Sequence, residues 1–376
     1  MKMTRRLKGQ WIYWIRFQGF RATDNMARKK KKQSFFPALI FFALAGAALY
    51  YFYFLPLQHK RAAEETHKAA AVSRDILLKK VLIDPALVIY DKDGFVRAKL
   101  PLRHDAGSLQ SLFKKELAVF PEAAVKLDEK RENGAVITML SAVINETEVL
   151  KAELIKKPGP KIVIILDDWG YNTRDFAYLN SIKQTFNCAV LPDLKHSQKA
   201  AELARASKKG VILHLPMQPK AVMPMEKSTI MSGMNENAVA SITGKNFKSI
   251  GYPRGANNHE GSMATADEKV MSYLMRYFAQ NGLFFIDSRT ASNSAAIREA
   301  KKAGAFSAQR DVFLDNEKNS EYIKGQIEQL AGLAKKKGYA VGIGHDFPAT
   351  LEVLAELMPK LEARGYEFVY AAEVVN

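Results

Sequence analysis

Asp167 and Asp168 stand side by side after an apolar run, and His214, His259 and His345 follow at wide intervals, each beside or just beyond another such run. One carboxylate and two imidazoles form a three-ligand set with an open position, a donor mixture suited to Zn²⁺ or a similar divalent ion. Such an ion lowers the pKa of bound water and polarises a carbonyl. A second carboxylate can take the proton, and a histidine on the opposite side can protonate a leaving group. In that scheme Asp168, His214 and His259 are ligands, Asp167 is the base and His345 the acid. Asn258, Asp287, Arg310 and Asp311 fall at comparable points and are candidate supporting groups. Taken singly, each has an ordinary explanation. An acidic pair caps helices, His214 between Leu213 and Leu215 suits a hydrogen-bonded core histidine, and residues 257–262 read as turn chemistry. Their joint placement carries the reading.

The elements that must position them are strands and helices in alternation. Apolar runs fit strands at 162–166, 186–191, 211–215, 249–252, 283–286, 305–308, 339–343 and 367–370. Helical spacing lies between them at 197–208, 266–280, 317–337 and 350–364. This alternation predicts βαβ units on a parallel sheet, and purely apolar runs fit strands covered on both faces. About seven or eight strands over residues 161–376 suit a (βα) barrel, with an open doubly wound sheet as the alternative. In a parallel barrel, groups just past the C-terminal strand ends converge on one mouth. Asp167-Asp-Trp-Gly is no dinucleotide turn, because the glycine fingerprint is missing. Residues 81–156 predict a small α+β domain without a catalytic constellation. Its signals are strands at 86–90 and 135–140, a turn at 91–94 and a helix at 108–120. Residues 156–160 form a linker of turn residues. The single cysteine, Cys188, excludes an intrachain disulfide and fits a buried small hydrophobe.

The charge of +17 is concentrated at the N-terminus, where residues 1–32 hold eleven Lys/Arg against Asp24. That basic tail (1–34) adjoins Phe35–Leu57, 23 residues without a charge. At helical rise such a run reaches roughly 34 Å, enough to span a bilayer. The excess charge therefore points to a membrane and not to nucleic acid. Lys29–Lys32 before the run place the N-terminus in the cytoplasm, and the tyrosines at 50, 51 and 53 suit the far interface. The expected topology is single-pass in the cytoplasmic membrane, with the C-terminal domains periplasmic or extracellular. Ala45-Gly-Ala47 leaves a cleaved signal peptide as the alternative. Translation starts at Met1, with 11–17 as an aromatic surface segment, or at Met26. Residues 58–80, charged and alanine-rich, predict a helical stalk.

The segments 164–172 (IILDDWGYN), 214–217 (HLPM), 258–262 (NHEGS), 285–290 (FIDSRT), 310–315 (RDVFLD) and 343–345 (IGH) occur in the order of the divergent polysaccharide deacetylase family. Residues 160–374 resemble that family throughout. The resemblance implies a barrel related to carbohydrate deacetylases, which remove N- or O-acetyl groups with a divalent metal. It also implies Asp167 as base, Asp168 and His214 as ligands, and His345 as acid. The wider superfamily completes the metal site with a second histidine four residues after the first, where this chain has Gln218; His259 fills that role here. The expected function is a membrane-anchored, metal-dependent hydrolase of acetyl groups on an envelope or exported polysaccharide. The alternative is an inactive barrel that binds glycan or protein as an envelope scaffold. A peptidoglycan-like glycan, the membrane and an envelope protein are the candidate partners, with Zn²⁺ the expected metal.

Overall fold

A computed structural model describes residues 36–92, 94–120 and 122–376. The basic tail, the alternative start at Met26 and Phe35 lie outside the described residues. From Phe36 the chain is helical through Leu49, continues through a wider π-type turn at Tyr50–Phe54, and is helical again over Leu55–Asp75 and Ile76–Val81. The helix Leu39–Val81 is long and apolar enough to cross a membrane. Side chains from Leu39 through Phe54, among them Phe41, Phe42 and Phe52, are exposed.

Residues 58–80 are helical, and their C-terminal part is packed against the unit that follows. Ile76, Leu77 and Val81 are buried in the core of the unit that follows. That unit has a five-stranded sheet: β1 (Val88–Lys92), β2 (Phe95–Lys99), β3 (Ala124–Glu132), β4 (Ala135–Ile144) and β5 (Thr147–Lys156), in the order β1-β2-β5-β4-β3. The helix Ala106–Leu117 packs Leu109, Phe113 and Leu117 against it. Asp105 caps that helix, accepting from Ser108 N at 2.7 Å.

Nine strands build the second sheet. They are β6 (Lys161–Trp169), β7 (Asn187–Val190), β8 (Gly210–Met217), β9 (Gly255–Glu260), β10 (Phe284–Asp287), β11 (Phe306–Gln309), β12 (Val312–Phe313), β13 (Tyr339–His345) and β14 (Glu367–Phe368). All pairings in it are parallel, in the order β11-β10-β9-β8-β7-β6-β13-β12, with β14 also on β6. β11 and β12 are at opposite ends of that order, yet only two residues separate them in the chain. The extended segment 306–313 therefore links the two edges, with Arg310 N donating to Asp287 O and Asp311 N to Val341 O. This is the barrel expected from the sequence.

One strand differs from expectation. Residues 249–252 are the end of the helix Glu236–Ser249 and a turn, with Ile250 buried among the outer helices. The strand is Gly255–Glu260, whose sequence GANNHE lacks the apolar run that marks its neighbours. It persists in the interior because Asn257 and Asn258 satisfy their amides with hydrogen bonds.

Alternation along the strands separates two cores. Ile162, Ile164, Leu213 and Phe285 face the outer helices, whereas Val163, Ile165, Ile212, Ile286 and Ile343 face inward. The inward set is continuous with the core of residues 76–156. The small unit meets the barrel where the strands begin. Arg254, just before β9, donates to Ile83 O at 2.9 Å, and the Arg103 guanidinium lies 4.6 Å from the Phe306 ring. It thus forms the floor of the barrel. Because the two share one core, Phe113→Ala is expected to cost about 3–5 kcal/mol. It should leave residues 76–376 unfolding in a single transition, read by denaturant titration with fluorescence and circular dichroism. Two separated transitions would show the small unit to be independent.

Candidate metal centre

Period-2 alternation brings the functional side chains to the mouth. Asp167 continues the inward row Val163–Ile165, His214 follows Ile212, and His345 follows Val341–Ile343. Asn257 and His259 occupy the same face of β9. Asp167 pairs directly with His345 in register, and His214 with Asn257. Strict alternation would send Asp168 outward. Instead β6 gains one residue against β7 between Leu166 and Trp169, and Asp168 adopts a left-handed backbone with φ +69°. A bulge of this kind re-aims a side chain, so both carboxylates face the same mouth. Left-handed backbone at a non-glycine residue is strained, and such strain collects at functional sites.

Asp168, His214 and His259 each present one donor atom within 4.8 Å of the others. His214 Nε2 lies 3.0 Å from His259 Nδ1, and Asp168 Oδ1 lies 3.4 Å from the first and 3.3 Å from the second. Asp168 Oδ1 is buried and meets no hydrogen-bond donor in good geometry. Burial opposes its charge, but the adjoining imidazoles outweigh that and hold the carboxyl well below the usual range. The tautomer of His214 follows from its neighbours. The Asn257 amide donates to Asp167 Oδ1 at 2.8 Å, so its oxygen faces His214 Nδ1 at 2.9 Å. Nδ1 then carries the hydrogen, and Nε2 turns a lone pair inward. The inward lone pair of His214, the neighbouring His259 Nδ1 and the orphaned carboxylate oxygen form a donor set that could hold a cation. A tetrahedral ion with bonds of about 2.0–2.1 Å needs ligand atoms about 3.3–3.4 Å apart. The two separations from Asp168, 3.4 and 3.3 Å, fit that requirement, and the separation between the imidazoles, 3.0 Å, is shorter.

Asp167 lies behind this triangle, buried, with Oδ2 3.7 Å from His214 Nε2. Burial pushes its carboxyl up against the lowering influence of His214. His345 closes the other side, its Nε2 3.9 Å from Asp168 Oδ2. Its Nδ1 lies 3.0 Å from Asp315 Oδ1, while Asp315 Oδ2 accepts from His345 N and the Thr350 hydroxyl, both at 2.7 Å. Gly344 permits this approach, since a Cβ there would come within 3.0 Å of Asp315 Oδ2. Burial disfavours the imidazolium of His345, but Asp315 more than compensates and its pKa rises to about 9. Phe313 and Phe347 flank the ring, 5.5 and 4.8 Å away.

Of the expected supporting groups, Arg310 has an electrostatic link to Asp167. It donates through Nε to Ser288 O at 2.7 Å. Asn258 and Asp287 fall on the opposite phase of their strands and turn away. Asn258 holds Ser288 N, Glu260 O and Thr290 Oγ1, and Asp287 accepts from Arg289 N. Asp311 pairs with Lys337 and accepts from Val341 N, outside the mouth. Gln218 is engaged in structure, its side-chain oxygen accepting from Ser232 N. Asn257, Asp315 and Glu226 enter the site without having been singled out from the sequence. Strand parity with His259 could have identified Asn257, and Asp315 lies inside a recognised segment. Glu226, in an irregular loop, carries no such signal. Cys188 is buried, and burial pushes its thiol up, as expected of a packing residue.

Known proteins place this geometry in context. The divergent polysaccharide deacetylase family matches residues 164–375. The uncharacterized protein YibQ of Escherichia coli K12 is 35% identical over 205 residues, 54% of this chain and 63% of that protein. An uncharacterized protein of Haemophilus influenzae Rd is 32% identical over 194 residues, 52% of this chain and 69% of its own length. Among solved structures, the uncharacterized protein ATU2773 of Agrobacterium tumefaciens C58 superposes with a TM-score of 0.53 at 20% identity. That match covers 57% of this chain and 88% of the other, and it supports the fold.

Asp315→Asn is expected to bring the His345 titration down from about 9 toward the ordinary imidazole value, followed by NMR on the metal-free chain. The folded value lies above the unfolded one. The stabilisation is therefore complete below about pH 6.5, is lost as pH rises through about 9, and should vanish in D315N.

Proposed function

Because the chain belongs to the divergent polysaccharide deacetylase family, we propose that it is a membrane-anchored hydrolase removing acetyl groups from an envelope or exported glycan with the help of a divalent ion, Zn²⁺ for preference. The observation that carries this reading is the triangle of inward donor atoms from Asp168, His214 and His259. When bound there, the ion supplies a polarising charge that acidifies water and activates a carbonyl. The chain's own groups supply the proton traffic. Asp167 has one oxygen held by Asn257 and the other turned toward the mouth, so it can accept the proton that water releases. His345, charged through Asp315, can deliver a proton to the departing amine or alcohol as the acyl C–N or C–O bond breaks. Water oxygen joins the acyl carbon, acetate leaves, and the proton count balances. Phe313 and Phe347 keep bulk water from the flanks of the acid.

The full-length chain in detergent should contain one divalent ion per molecule, lost in His214→Ala or His259→Ala. It should release acetate from an acetylated glycan, and Asp167→Asn should retain the ion but lose at least about 100-fold in rate. A stably folded, metal-free and inactive wild type would instead support a glycan- or protein-binding scaffold.

The anchor is part of the same proposal. The helix from Leu39 onward offers its apolar surface to lipid, and Lys29–Lys32 retain the N-terminus in the cytoplasm. A reporter fused after Asn376 should be active only outside the cytoplasm. Activity inside would overturn this orientation.

A further inference from the structure

The two imidazoles of the triangle are oriented by different devices. His214 is fixed by Asn257, which belongs to the adjacent barrel strand. His259 turns Nδ1 to the centre, leaving Nε2 on the far side of the ring. There Glu226 places Oε1 3.6 Å away. Glu226 belongs to the irregular connection between β8 and the helix Glu236–Ser249. The base of this connection is pinned. Gln218 N donates to Ile230 O, Ile230 N to Pro216 O, and the Asn246 amide to Ser228 O, each at 2.9 Å. At its tip Val222, Met223 and Met225 are exposed. Glu226 is the point at which the connection turns back to the protein, and the Tyr171 hydroxyl donates to its Oε1 at 2.7 Å. Tyr171 follows closely on the Asp167–Asp168 pair. One carboxylate oxygen therefore ties the segment after β6 to the segment after β8, beside a metal ligand.

We propose that Glu226 is a positioning residue for His259: it draws the ring hydrogen to Nε2 and leaves Nδ1 as the metal-facing donor. The inference rests on the metal-centre reading and extends it to a residue outside the donor triangle. A carboxylate behind an imidazole fixes ring orientation and strengthens the inward nitrogen, and removing such a partner costs about 10–100-fold in metal affinity. Glu226 cannot be a fourth ligand while it faces Nε2, since that nitrogen points away from the centre. The arrangement also explains how His259 serves without a second histidine four residues after His214. The imidazole arrives from the next strand over, and the long connection between those strands brings the carboxylate that orients it. Glu260, the acidic neighbour of His259, contributes no donor atom to the triangle.

The test uses the full-length chain in detergent, with Zn²⁺ affinity from chelator competition and the visible spectrum of the Co²⁺-loaded protein. Glu226→Ala should weaken Zn²⁺ binding by about 10–100-fold, with full stoichiometry at saturating metal, and should alter the Co²⁺ bands. Glu226→Gln keeps shape and an acceptor oxygen but no charge, so its affinity should fall between wild type and E226A. It carries the test alone if E226A does not fold. Tyr171→Phe leaves the carboxylate in place and should weaken binding less than E226A. Wild-type affinity and spectrum in both Glu226 variants, alongside lost binding in His259→Ala, would overturn this inference and leave the metal centre standing. A wild-type chain that takes up no ion would overturn both.

Discussion

One extra residue in β6 is the constraint on which the site depends. Two consecutive carboxylates on a regular strand face opposite ways, one to the barrel interior and one to the helices. The bulge between Leu166 and Trp169, with Asp168 held at φ +69°, removes that opposition. It brings two carboxylates to the mouth from adjacent positions, Asp167 buried and Asp168 half-buried, neither on a loose loop. The strain resides at one backbone position, and the surrounding parallel ladder holds it there. β6 is hydrogen-bonded to β7 and to β13, and β14 also pairs with it.

Behind the bulge, the polar side chains form a connected arrangement in which each donor finds an acceptor. Asn257 links Asp167 to His214 and reaches Ser288, and Ser288 is braced by Asn258. On the other side Asp315 bridges His345 to Thr350. Such buried groups are costly when unpaired and rigid when satisfied. The one orphan among them at the mouth is Asp168 Oδ1.

The barrel and the inward histidines were legible in the sequence for physical reasons. Apolar runs covered on both faces announce parallel strands, and strand ends announce the mouth. His214 and His345 could therefore be placed at the mouth from position, whereas His259, expected in a loop, lies within β9. β9 was misplaced because its interior residues, Asn257 and Asn258, substitute hydrogen bonds for hydrophobic burial, and no apolar pattern records that exchange. Asn258, Asp287 and Asp311 turn away from the mouth because nearness in sequence to a strand end does not fix strand phase. One residue of phase separates Asn258, which braces a turn, from Asn257, which sets a tautomer. Glu226 was invisible for another reason: its place depends on how a long irregular connection folds back, and neither period nor composition encodes that.

The floor contributed by residues 76–156 gives the barrel the form of a blind well. With the lower ends of the strands sealed by a common apolar core, whatever reaches the centre arrives and departs by one opening. For the proposed glycan substrate, this geometry would exclude threading and would admit a single substituent from the rim. Under the proposed hydrolysis, the small product would leave by the same opening, so its clearance would be linked to movement of the polymer.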